Sequence, residues 1–168
     1  MSTSDLYLLF SKSVRHWSEH RNGWGSAPVV WDYLADRYIP EKPFYSFERD
    51  HFRKVWALDK SDGLSDAELA ALAFTLDNAY IPRGNLSEVA AWFEAFGAQV
   101  GAHPEFANRV NHWPAFAAEL RKINAEVKDK RLRGVCISCT SVNDIWANEA
   151  PDRIAKAWPI CEVEEIGR

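Results

Sequence analysis

Hydrophobic residues recur at helical intervals through the middle of the chain and alternate near its end. Ser26-Ala27-Pro28 has the chemistry of a helix start: a serine that can cap, then a proline tolerated in the first turn. Val30, Trp31, Leu34, Ala35 and Tyr38 then fall on one stripe, with Asp32 and Asp36 opposite. Ile39-Pro40 ends this helix, because proline disfavours helical geometry in the residue before it. A second helix is predicted from Ser46 to Leu58, burying Phe47, Phe52, Val55 and Trp56. Ser65-Asp66-Ala67-Glu68 has the reciprocal capping-box spacing. It leads into Leu69, Leu72, Ala73, Leu76 and Tyr80, and Ile81-Pro82 is again the stop. Ala70, Ala71 and Phe74 flank that stripe, so this is the expected central, most buried helix.

Asn85-Leu86-Ser87-Glu88 repeats the capping spacing ahead of Val89, Trp92, Phe93 and Phe96, with Gly97 or Gly101 marking the end. A short helical turn fits at Pro104. Trp113-Pro114 opens another long helix with the stripe Phe116, Leu120, Ile123 and Val127. The period then changes: Val135, Ile137 and Cys139 alternate with Cys136, Ser138 and Thr140, as in a strand. A strand needs a partner, and the candidates are Leu6–Phe10 and Ile160–Val163. The first is ambiguous, since Leu6, Phe10, Val14 and Trp17 also fit a helix stripe. Asp36-Arg37-Tyr38-Ile39-Pro40 and Asn78-Ala79-Tyr80-Ile81-Pro82 echo each other, but two units fall short of a solenoid. The expected fold is therefore mainly α: a single-domain multi-helix bundle over residues 1–168 with a small β-sheet formed near the chain termini. Trp31, Trp56, Leu72, Leu76, Trp92, Phe93, Phe96, Phe116 and Leu120 are its expected core.

Composition sharpens this in two ways. Eight tryptophans in 168 residues supply much apolar area, each with one N–H that needs a partner when buried. Tryptophan is also enriched at binding hot spots. The net charge of −4 is divided evenly between the two halves, so bulk electrostatics point to no nucleic-acid or membrane partner. Apolar runs are too short for a membrane span or a signal peptide. Three cysteines, an odd number in a chain long enough to fold without disulfides, indicate a reducing compartment and a cytoplasmic location.

Candidate chemistry is sparse. His16-Trp17-Ser18-Glu19-His20 resembles, over these five residues, the H-x-x-E-H pattern of the inverted zinc metallopeptidases. On a helix, His16 and His20 share a face and can grip zinc while Glu19 activates a water. Such a site needs a further carboxylate, and Glu94 stands at a suitable distance but on the polar side of its helix. Cys136-x-x-Cys139 has a metal or redox spacing, but in a strand residues three apart face opposite ways. Arg21-Asn22-Gly23-Trp24-Gly25-Ser26 could cradle an anion ahead of a helix N-terminus, or simply form a tight turn. Lys128-Asp129-Lys130-Arg131-Leu132-Arg133 is the only basic cluster and lacks interleaved aromatics for stacking bases. Ser141, Asp144 and His112 have no spacing that supports a triad, and Asn85-Leu86-Ser87 reads as a helix cap rather than a glycosylation site.

Two functions from different classes fit. The first is a cytoplasmic binding or inhibitory protein without catalysis, most concretely a bacterial immunity protein that neutralises a toxin. Its surface would combine exposed aromatics with carboxylates at Trp24, Asp32, Asp36, Asp144 and Trp146, with no cofactor and no metal. The alternative is a small zinc-dependent hydrolase using His16, Glu19 and His20.

Overall fold

The first apolar run folds as a hairpin. In the computed structural model, which describes residues 3–11, 13–21, 26–39, 53–55, 57–60, 63–75, 80–109 and 111–140, β1 (Thr3–Phe10) is followed closely by β2 (Ser13–Arg21). The two strands are antiparallel, with Phe10 opposite Ser13. Tyr7 pairs with His16 but Leu6 with Ser18, so Trp17 is an extra residue in β2, a bulge. That insertion breaks the two-residue alternation, and it made Leu6, Phe10, Val14 and Trp17 fit a helical period.

β4 (Leu132–Thr140) is the strand that the alternation at Val135–Thr140 predicts, and its partner is β1. β3 (Tyr80–Pro82) lies on the other side of β4, giving a four-stranded antiparallel sheet in the order β2-β1-β4-β3. The expectation of a mainly helical bundle with a small terminal sheet is therefore wrong: the fold is mixed, an antiparallel sheet combined with helices. It is not all-α. Tyr80-Ile81-Pro82 does not end a helix. Ile81 instead pairs with Val135 and is fully buried, and Pro82 sits on an edge strand, where its missing N–H is tolerated. The echo with Asp36–Pro40 thus joins a helix end to a strand and marks no repeat.

The sheet's apolar positions line up across the register. Leu8 faces Val135, which faces Ile81, and Leu6 lies two residues along β1; all four are fully buried. Tyr80 donates from its hydroxyl to the Arg133 carbonyl, 3.0 Å away. Its ring lies over Gly134, where a Cβ would overlap both that ring and the Ile81 carbonyl. Only glycine admits so close an approach.

Four helices follow their predicted starts more closely than their predicted ends. α1 (Ser26–Tyr38) stops at Ile39, as the following proline requires. α2 (Asp66–Phe74) begins with the anticipated capping box, Ser65 accepting from the Glu68 N–H and Glu68 accepting from the Ser65 N–H. It ends at Thr75, well short of Tyr80. Seven of its nine residues are buried, so it is the central helix expected. α3 (Leu86–Ala102) starts from a 3-10 turn at Arg83–Asn85 instead of a capping box, and Asn85 makes no side-chain cap. It runs through Gly97, where Pro114 and Asn111 crowd the space a side chain would need. α4 (Trp113–Glu126) carries Pro114 in its first turn and buries Phe116, Leu120 and Ile123.

The helices pack in sequence, α1 on α2, α2 on α3 and α3 on α4. At their centre, Trp113 is met by Phe93, Phe96, Phe116 and Phe74 at centroid distances of 5.0, 5.5, 5.7 and 5.9 Å, largely edge-to-face. Such geometry suits ring quadrupoles. Leu72, Phe93, Phe96, Phe116 and Leu120 are buried as expected, whereas Trp31 and Trp92 are only partly so. Trp56 and Leu76 lie outside the described residues, as do residues 46–52. Of the helix predicted over Ser46–Leu58, residues 53–55 are helical with Val55 buried as expected, and Ala57–Lys60 forms a 3-10 turn.

Candidate functional site

The two carboxylates expected on the polar side of α1 are there, and each faces a group from the turn that follows α3. Asp32 accepts from Arg109 at 2.6 Å, and Asp36 lies 3.5 Å from the His103 imidazole Nε2. The turn is built for this: Phe106 and Ala107 donate backbone N–H groups back to the His103 carbonyl, and Phe106 is buried. Tyr33, next to Asp32 and about one turn before Asp36, meets the rings of Phe96, His103 and Phe106 edge-on. His103 accepts the Glu105 N–H at Nδ1, while its Nε2 is the nitrogen nearest Asp36. Both ring nitrogens are engaged.

A second ionic cluster lies at the C-terminal end of α1, next to Asp36 in the chain, and only half of it was visible in sequence. Glu68 is 2% exposed, and one carboxylate oxygen accepts from the Ser65 N–H, the Ser65 hydroxyl and the Tyr38 hydroxyl at 2.8–2.9 Å. The other oxygen stands 3.4 Å from an Arg37 nitrogen, an ion pair without hydrogen-bond geometry. Arg37 donates to the Tyr33 hydroxyl at 2.7 Å and lies over the rings of Tyr33 and Tyr38. The hydrogen bond to Tyr33, reinforced by Glu68, raises the Arg37 pKa against the opposing effect of burial. Burial first, then the bond to Glu68, raises that of the Tyr38 phenol. The capping-box spacing announces Ser65 and Glu68. The Arg37-Tyr38 half joins them only through the contact of α1 with α2, which no local pattern encodes.

The other predicted positions are dispersed. His16 and Glu19 are exposed on β2, a strand, which removes the helical basis of the H-x-x-E-H reading. His16 pairs with Tyr7 and His20 with Ser4, positions of opposite parity in β1, and four residues of strand span roughly 13 Å. Glu94 is held on α3 by a two-pronged bond from Arg121 of α4, which lowers its pKa. Among the described residues no group of three His, Cys, Asp or Glu side chains is arranged to hold a metal. Cys136 is a buried cysteine on β4. Trp24, Asp144 and Trp146 lie outside the described residues.

Comparison with protein-family models, characterised proteins and solved structures finds no match to this chain. No helix among the described residues is long and apolar enough to cross a membrane.

Proposed function

We propose that the chain acts by binding and occluding a protein partner, without catalysis, and that its most concrete identity is a bacterial immunity protein that neutralises a toxin. The observation that carries this reading is the engagement of the clustered ionisable groups on α1 and α2. Asp32 is committed to Arg109, Asp36 to His103 and Glu68 to Arg37, Tyr38 and Ser65. A general acid or base must be free to exchange its proton with a substrate. Groups locked to one another instead present a fixed pattern of charge and shape, which reduces the ordering cost of association. Because their charges are matched within the chain, Asp32 and Asp36 contribute less long-range steering than their sequence positions suggest. Trp24, Asp144 and Trp146 remain the anchors assigned to the partner surface.

The test is co-expression with the product of the adjacent gene. Wild-type protein should rescue growth, and Trp24→Ala or Trp146→Ala should weaken rescue while circular dichroism stays unchanged. A neighbour that is harmless, or that does not bind this chain, removes the immunity reading.

A further inference from the structure

One end of the sheet gathers side chains that the sequence keeps more than a hundred residues apart. The basic loop after α4 is held rigidly. Arg83 donates to the carbonyls of Asp129 and Val127, Val127 is buried, and the Leu132 N–H returns to the Asp129 carbonyl. The Asp129 carboxylate accepts three bonds from Arg131, so that arginine is internally matched. Lys128, Lys130 and Arg133 are exposed beside it, with no ion pair among the described residues. The hairpin adds Arg15, close enough to Asp129 to lower its pKa, and places it over the Phe10 ring at 5.1 Å. Lys122 of α4 stands over the Trp17 ring at 5.6 Å, and the Trp17 indole donates to Glu119. The basic run, which lacks aromatics in sequence, thus has Phe10 opposite its Leu132, and Lys122 upstream of it has Trp17.

We propose that this end of the molecule, carrying Arg15 over Phe10, Lys122 over Trp17, and the exposed Lys128, Lys130 and Arg133, docks the acidic face of a protein partner. The inference rests on the partner-binding reading above and supplies the chemistry of that partner. Charge complementarity selects an anion, and the state of the two rings selects the kind. Nucleic-acid bases need open aromatic faces on which to stack. Here Phe10 and Trp17 each lie beneath a cation, and the Trp17 N–H is already bound. Tryptophan and arginine are also the residues most enriched at protein hot spots, and a preorganised loop loses little freedom on binding.

Fluorescence anisotropy of labelled oligoglutamate and of labelled oligothymidylate, matched in charge, tests this at low ionic strength. The full chain should bind oligoglutamate more tightly than oligothymidylate, and added salt should weaken the complex. Lys128→Glu/Lys130→Glu should weaken it about tenfold, while Lys60→Glu, an exposed lysine elsewhere, should leave it unchanged. Thermal melts of both variants exclude unfolding as the cause. Failure to bind oligoglutamate overturns the inference, as does equal loss in Lys60→Glu. Tighter binding of oligothymidylate overturns it in favour of a nucleic-acid surface. Should oligoglutamate fail while wild type still rescues against the neighbouring toxin, the docking surface falls and the immunity reading stands. Should oligoglutamate bind while the neighbour proves harmless, the docking surface stands and the immunity reading falls.

Discussion

The helical layer and the sheet are stabilised on different terms. α3 and α4 are joined by the ten residues 103–112, and their apolar stripes meet around Trp113 within a few tens of residues of each other. The sheet draws β1 from one part of the chain and β4 from another, with Leu8 opposite Val135. Local contacts close small loops, whereas the sheet must close a large one before its pairing gives any return. The helices therefore depend on side-chain volume, and the sheet depends on register and on one glycine. Damage to the first should be felt throughout the molecule; damage to the second should begin locally.

The largest effect should come from the helical layer. Phe93→Ala removes a fully buried ring that lies 4.8 Å from Phe74 and 5.0 Å from Trp113. It should cost about 3–5 kcal/mol, measured by urea unfolding, with strand and helix signals lost together. Separate transitions for the two would break the comparison. Gly134→Ala comes next, because the added carbon overlaps the Ile81 carbonyl and the Tyr80 ring. Overpacking of this kind costs about 1–3 kcal/mol. Amide exchange should quicken at Tyr80–Pro82 first, while α3 keeps its protection. A Gly134→Ala protein as stable as wild type would show that β3 is not held at this contact.

Ser65→Ala should cost about 1 kcal/mol through loss of the α2 cap, seen as a modest fall in melting temperature. Little change would mean that Tyr38, Arg37 and the backbone N–H at residue 65 keep Glu68 in place without the serine hydroxyl. The smallest effect is a titration. Hydrogen bonds from the Arg131 side chain and then from its N–H lower Asp129 to about 2, with Arg131 and Arg15 adding charge. The folded pKa lies below the unfolded one. The carboxylate therefore favours the folded loop above roughly pH 4 and loses that contribution as pH falls toward 2. Carbon NMR should show this midpoint, and Arg131→Gln should move it back toward 3.8.

What the sequence made legible follows the same division. The stripes of α3 and α4, the proline stop of α1 and the Ser65–Glu68 cap are local, and each is found where its residues place it. The alternation of β4 was also readable, and β1 was one of its two candidate partners. β2 was hidden by the Trp17 bulge, and β3 is three residues long, too short to show a period. The premature end of α2 had no warning, since Leu76 and Tyr80 continue its apolar spacing beyond Thr75. At the candidate site, Asp32 and Asp36 were assigned to the polar side of α1, but their pairing with Arg109 and His103 depends on how a distant turn packs. The convergence of Trp17 and Lys122 likewise exists only once the sheet has formed.

The pairing of β1 with β4 has a consequence for how the molecule is made. On the ribosome the hairpin emerges before β4, with Leu6 and Leu8 presented on a two-stranded ribbon that is marginal in water. Their partners on β4 are translated well over a hundred residues later, which at roughly 5–20 residues per second is a wait on the order of 10 s. For that interval an apolar strand has one unpaired edge, a ready template for another nascent copy. The polar β2, with Arg15, His16 and Glu19 along it, shields the opposite edge during synthesis. A chain released before residue 140 would be left with the unshielded one.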